Sequence, residues 1–261
     1  KADSIASYSH YLQWVITVFM FLFGVNFNIY FFILIRRFRS AFRNAELLCY
    51  IGIALVSAAV IAFNIYPIYG SVSDSIRLSA FQVSSIMTTT GFSTADFNLW
   101  PEFSRAILLV LMFIGACAGS TGGGLKVSRL ILLFKMFGRE RKRLIHPRSV
   151  TIAKMDGKRV DDMTLHGTGN YLAIYCLVFF AGFLLISAGS PPGFDVETNF
   201  SAMAACFNNI GPGLGLVGPA TSYSAYPAFA KLVLSVAMLL GRLELSPLMI
   251  AFLPLVRRKN K

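Results

Sequence analysis

Charge is what this sequence has least of. Only 14% of its 261 residues are Asp, Glu, Lys or Arg, while 56% are apolar and the mean hydropathy is +0.64. A soluble protein of this size cannot hide so much apolar surface, because a large share of its residues must face water. A soluble enzyme, a disordered chain and a disulfide-stapled secreted module are therefore excluded, and the natural solvent of the chain is a bilayer. Cysteine is scarce too. Cys49, Cys117, Cys176 and Cys206 each stand alone within an apolar run. They have neither zinc-ligand spacing nor the pairing of a disulfide framework, and they read as small packing residues. His10, His146 and His166 have no ligand spacing either.

Acidic residues number 12 against 24 Lys and Arg, a formal net charge of +12. By count alone this would point to nucleic acid. Position argues otherwise. Nineteen of the 24 basic residues fall in three patches, Arg36 to Arg43, Lys126 to Arg159 and Arg257 to Lys261. Each abuts a long apolar stretch, the pattern of cytoplasmic loops, so no nucleic-acid partner is expected.

A spanning helix needs about 20 apolar residues. Tyr11–Ile35, Leu47–Tyr66 (ended by Pro67), Arg105–Phe134, Tyr171–Ser187 and Pro227–Val256 meet that length. With the basic patches inside, five spans alternate without conflict, and the C-terminus lies in the cytosol. Two further apolar-leaning stretches, Leu78–Met87 and Asn199–Phe207, have about ten residues each, a rise of about 15 Å, and cannot cross. Each reads as a short re-entrant helix or as an external helix on the surface. The segments that follow them, Thr88-Thr-Thr-Gly-Phe-Ser-Thr94 and Asn208-Asn-Ile-Gly-Pro-Gly-Leu-Gly215, favour re-entry. They are small, polar and glycine-containing, as extended backbone at membrane depth must be when it lines a wet cavity.

Laid out in this way the chain repeats. The expected class is an all-α membrane protein of tandem helix–pore-loop–helix units. Residues 47–134 form one pore unit, 135–167 a basic cytosolic linker and 168–258 a second pore unit. Residues 11–35 are left over as the last helix of an upstream unit. The chain begins without Met and is expected to be a fragment that lacks upstream pore units.

A helix that stops halfway across aims its carbonyl end, with about half a negative charge, at the bilayer centre, which favours a cation there. Extended backbone beyond it can replace a hydration shell with carbonyl oxygens. Gly91 and Gly211 supply the dihedral freedom such a run requires. The competing reading is a pair of structural turns. Gly115-Ala-Cys-Ala-Gly-Ser-Thr-Gly-Gly-Gly124 interrupts the third span with five glycines in ten residues. Each costs a helix about 1 kcal/mol relative to Ala. A phosphate-binding loop is excluded there, since Leu125 stands where Lys is required, and Gly213-Leu-Gly-Leu-Val-Gly218 matches GxGxxG without a preceding strand. Arg242 sits within the last span, where an arginine costs about 2.5–3.5 kcal/mol. It reads either as an electrostatic barrier below the loops or as half of a salt bridge. Glu244 projects from a different face of the helix and reads as structural.

TTTGFST, GACAGSTGGGLK, NNIGPGLG and GRLEL, in this order within tandem units, resemble the TrkH/KtrB potassium-transporter family (the Trk/Ktr/HKT superfamily) over about residues 11–258. The resemblance implies that these are the third and fourth units of a four-unit pore, with an extra helix from the preceding unit. It implies a selectivity filter that binds potassium through backbone carbonyls of Thr89, Thr90 and Gly91 and of Asn209, Ile210 and Gly211, flanked by Phe92 and Pro212. It implies an intramembrane gate made of Gly115, Gly119, Ser120, Thr121, Gly122, Gly123, Gly124 and Arg242. The expected function is potassium uptake across the inner membrane of a bacterium. No cofactor is implied, and potassium is the transported species. A homodimer and a cytosolic ring of nucleotide-binding regulatory subunits are the implied partners besides membrane lipid. The alternatives are a sodium-selective or sodium/potassium-coupled relative, or a non-conducting sensor or scaffold. An intramembrane enzyme is not expected: no span offers a nucleophile beside a base.

Overall fold

The computed structural model describes residues 4–146 and 154–243. Its helices, in chain order, are α1 (His10–Phe23), α2 (Phe27–Leu34), α3 (Phe38–Phe42), α4 (Ala45–Tyr69), α5 (Val72–Met87), α6 (Glu102–Phe113), α7 (Val127–Ile145), α8 (Asp162–Gly189), α9 (Val196–Phe207) and α10 (Ala228–Arg242). Local chemistry sets many of the boundaries. The side chains of Ser9, Asn26, Asn44, Ser71 and Asp195 accept amides of the first turn at the starts of α1, α2, α4, α5 and α9.

Several expected boundaries move. Tyr11–Ile35 is not one straight helix: α1 and α2 meet at 91° across Gly24–Asn26. The helix expected to stop at Pro67 runs through it to Tyr69, and Gly70, left-handed at φ +65°, ends it. The half-length helices start earlier than their apolar cores, at Val72 and Val196, because their Ser71 and Asp195 caps lie upstream. Even so, the 16 residues of α5 rise only about 24 Å, short of a bilayer's core. Arg105–Phe134 divides into α6 and α7 around the glycine-rich segment, and α7 continues to Ile145, into the stretch assigned to the linker. The helix placed at Tyr171–Ser187 begins at Asp162. The linker also carries a two-stranded antiparallel ladder, β1 (Lys154–Met155) with β2 (Lys158–Arg159). Residues of Pro227–Val256 beyond Leu243, Glu244 among them, lie outside the described residues.

Among the described residues α4 and α8 are long and apolar enough to cross a membrane unbroken, and α1 with α2 make a third span if the bent pair counts as one. Their outer faces carry large exposed apolar side chains such as Phe63, 86% exposed, as lipid-facing helices do. The two half-length helices are the opposite: eleven residues of α5 and nine of α9 are buried. They form the centre. Phe113, Phe179 and Phe200 pack edge-on or tilted at 5.1–6.0 Å and join α6, α8 and α9.

Candidate ion-conduction site

The C-terminal ends of α5 and α9 fold alike. Beyond α5 the amides of Thr88, Thr89 and Thr90 return to the carbonyls of Ser84, Ile86 and Ser85 at 2.9–3.0 Å. Beyond α9 those of Asn208, Asn209 and Ile210 return to Ala204, Cys206 and Ala205 at 2.8–3.1 Å. Thr89 and Asn209 are left-handed at φ +54° and +58°, and Gly91 and Gly211 at +78° and +111°. The amides are thus spent on the helix ends. No donor among the described residues reaches the carbonyl oxygens of Thr88, Thr89, Thr90, Gly91, Asn208, Asn209 or Ile210. These residues are buried or half-buried, and their carbonyls, without an internal donor, are left for water or a ligand.

The two loops touch. A Cβ on Gly91 would overlap the Ile210 carbonyl oxygen and lie 3.3 Å from the Pro212 ring. Phe92 is exposed, and its carbonyl is held by the Ser85 hydroxyl at 2.5 Å. The Gly211 carbonyl accepts from the Tyr223 hydroxyl at 2.7 Å. An open groove of about 460 Å³ runs past Thr88, Thr90, Phe92 and Thr121 along α1.

The glycine-rich segment lies against both loops. The Gly123 amide donates to Thr89 Oγ1 at 2.8 Å, and a Cβ on Gly123 would stand 2.7 Å from the Asn208 carbonyl oxygen. A Cβ on Gly124, which is left-handed, would come within 3.3 Å of Asn208 Oδ1. Gly115 pairs with Leu125 at 2.8 Å, which closes the base of the segment, and Ser120 bonds back to Cys117. Against the segment lies Arg242, on the last described turn of α10, with Nη1 donating to the Thr121 carbonyl at 3.3 Å. Among the described residues no carboxylate pairs with Arg242.

The same segment explains the bend in the first span. Cys117 donates to the Gly24 carbonyl at 3.0 Å, Phe27 to the Gly119 carbonyl at 3.1 Å, and Thr121 Oγ1 to the Phe23 carbonyl at 3.3 Å. Two interruptions at membrane depth therefore satisfy each other's backbone groups, as a low-dielectric surrounding requires. Tyr50 secures the corner, its hydroxyl donating to the Phe21 carbonyl at 3.0 Å and filling the space a side chain at Gly24 would need.

Sequence reasoning missed two contributors. Glu46, 3% exposed, accepts the Ala118 amide at 2.6 Å and the Ser128 amide at 3.2 Å. A lone carboxylate at the start of an apolar span was the signal, since such a group is costly unless it has work there. Asn208 is the second. Its side chain is fixed between the Tyr175 hydroxyl at 2.7 Å and the Ala204 carbonyl at 3.0 Å, so it stiffens the loop from behind.

A family model described as TrkH, a cation transport protein, matches residues 1–259. The Trk system potassium uptake protein TrkH of Escherichia coli K12 is 37% identical over 243 residues, which is 92% of this chain and 49% of that protein. TrkG, also a Trk system potassium uptake protein of Escherichia coli K12, is 34% identical over 96% of this chain and 51% of its own length. The crystal structure of the potassium transporter TrkH from Vibrio parahaemolyticus superposes with a TM-score of 0.85 at 36% identity, covering 97% of this chain and 54% of that one. The chain spans about half the length of the relatives it matches. These relatives are transporters, not enzymes, and this chain belongs to the TrkH cation transport protein family.

Proposed function

We propose that this chain forms half of a potassium-uptake path in the cytoplasmic membrane of a bacterium. The observation that carries the proposal is the pair of matching loops whose carbonyls have no internal donor and which meet at Gly91 and Ile210. Relatives named for potassium uptake match nearly the whole chain. Potassium sheds water against the carbonyls of Thr89, Thr90, Asn209 and Ile210, and the negative ends of α5 and α9 favour its charge. Residues 47–134 and 168–258 act as the third and fourth units of a four-unit pore, residues 11–35 end the second, and the missing units complete the ring. The Gly115–Gly124 segment gates the path, and the Arg242 guanidinium raises the cost of cation passage. No covalent step and no cofactor is involved.

In this reading the C-terminus is cytosolic. The basic residues Arg139 to Arg148, within the 135–167 linker, meet anionic lipid and a ring of nucleotide-binding regulatory subunits. Two copies of the complete protein associate as a homodimer.

The test is growth of a potassium-uptake-deficient bacterium on low-potassium medium, with the upstream half restored. Wild type should rescue growth and Gly91→Ser, at matched membrane expression, should not. Equal rescue by both would remove the filter assignment. Absence of rescue by either, with folded protein in the membrane, would point to a sodium-selective relative.

A further inference from the structure

We infer that Asp156 and Glu46 form a two-carboxylate linkage that ties the hairpin between α7 and α8 to the glycine-rich segment. The inference rests on the gate reading above. Glu46 Oε1 accepts one amide before Gly119–Gly124, at Ala118, and one after it, at Ser128 in the first turn of α7. A single oxygen thus bridges the two sides of the loop's base, beside the backbone pairs of Gly115 with Leu125 and Val127 with Ala116. A buried carboxylate is costly unless its charge is met by donors, and here one of the two belongs to a helix N-terminus, where the dipole adds to the attraction.

The neighbouring residue faces the other way. The Ala45 amide donates to Asp156 Oδ1 at 2.8 Å, and Asn44 Nδ2 reaches Asp156 Oδ2 at 3.3 Å. Asp156 and Gly157, at φ +50° and +79°, make the two-residue turn between β1 and β2. Both central residues are left-handed, as a type I′ hairpin needs, and this turn presents the carboxylate to the start of α4. The hairpin is braced on α7, because Lys135 Nζ donates to the Lys154 carbonyl, and Arg139 pairs with Asp162 at the start of α8. Consecutive residues of one helix turn therefore hold the hairpin on one side and the gate on the other. A partner that pulls the hairpin away loosens the first turn of α4, and with it the carboxylate that holds the loop against Thr89 and Asn208. Asp156 and Glu46 are positioning residues: neither touches the ion.

The test uses the full-length protein in liposomes, with rubidium influx measured for Glu46→Ala, Asp156→Ala and the double variant, since alanine removes the accepting oxygens that Gln or Asn would keep. Each single change should raise basal influx about 5-fold or more, the scale of a modest coupling between sites. The double variant should do no more than the stronger single one, since two links in series fail together. Preference for potassium over sodium should hold in all three. Wild-type influx in a folded single variant, including one that only lowers thermal stability, overturns the linkage. So does a double variant whose effects multiply. If Glu46→Ala does not fold, Asp156→Ala, which alters an exposed residue, decides by the same criterion. Gly122→Ala separates the premises, because its Cβ would stand 2.8 Å from Ala116 Cβ and 3.4 Å from the Thr88 carbonyl oxygen. Changed influx there with unchanged carboxylate variants removes the linkage and leaves the gate, whereas no change in any variant removes both.

Discussion

The side-chain amide of Asn98 pairs with both backbone groups of Gly215, Nδ2 donating to the carbonyl at 3.1 Å and Oδ1 accepting the amide at 3.0 Å. Asn98 sits in a short 3₁₀ turn downstream of the Thr88–Phe92 loop, and Gly215 opens the corresponding turn downstream of Asn208–Pro212. Residues 117 apart in sequence thus copy a backbone pairing, and a Cβ on Gly218 would overlap that same amide. Asn98→Ala leaves the Gly215 amide without a partner, while the Gly215 carbonyl keeps the Gly218 amide at 3.3 Å, and should cost about 1–3 kcal/mol. Asn98→Asp should do no better, because it sets a carboxylate against the Gly215 carbonyl. Thermal unfolding of the detergent-solubilised protein checks both, and unchanged midpoints would mean that the pairing carries no weight.

Gly91 and Gly211 hold equivalent places but differ in what surrounds them. A methyl at Gly91 meets the Ile210 carbonyl oxygen, whereas nothing lies within 4 Å of one at Gly211. At Gly211 the penalty is conformational alone, about 1–2 kcal/mol for a left-handed residue with a side chain. At Gly91 the same penalty is joined by displacement of the opposite loop. Gly91→Ala should therefore abolish low-potassium growth rescue while Gly211→Ala only weakens it. The reverse order would mean that the loops do not meet as described.

A similar contrast separates Gly241 from Gly52. On α10, a Cβ at Gly241 would overlap the Phe207 carbonyl and approach Asn209 Nδ2 at 3.1 Å, so this glycine lets the helix pass close beneath the second loop. Gly241→Ala should destabilise by about 1–3 kcal/mol through overpacking. On α4, nothing lies within 4 Å of a Cβ at Gly52. Gly52→Ala should be neutral or stabilise by up to about 1 kcal/mol, because alanine loses less entropy in a helix. Equal melting shifts for the two would contradict the close approach of α10 to α9.

How far the sequence could be read follows from which forces act locally. α5 and α9 were visible as stretches too short to cross, and their glycine-containing ends as breaks, because length and composition belong to the segment itself. The break between α6 and α7 was visible for the same reason. The 91° corner at Gly24–Asn26 was not, since hydropathy is uniform across it and its stabilising partners, Gly119 and Cys117, lie more than 90 residues away. The continuation of α4 through Pro67 was missed because a proline near a helix end sacrifices only one bond, while left-handed Gly70 is the stronger stop. Asp156-Gly157 is a hairpin signal on its face, obscured by the basic residues around it. Arg242 was recognised as costly, but only the folded chain brings the Thr121 carbonyl to it.

Acid should act on α9 through its cap. Asp195 Oδ1 accepts the Thr198 amide at 2.9 Å at the start of the helix that ends in the second loop. Its carboxyl is held below the ordinary value of 3.8 by the Thr198 hydroxyl and then the Thr198 amide, which outweigh the opposing effect of burial, with a lesser contribution from the charge of Arg105. A depressed value in the folded state stabilises above the unfolded value, and that contribution is lost as pH falls through the folded one. At neutral pH Asp195→Ala should therefore cost about 0.5–2 kcal/mol, the worth of an N-cap, and Asp195→Asn far less, because an amide oxygen can still accept. As the pH falls through the folded-state value the wild type should converge on the alanine variant while the asparagine variant keeps its cap. Melting curves of the three proteins between neutral and acid pH check the crossing. A wild type that stays above the alanine variant throughout would show that Thr198 is held by something other than the ionised Asp195.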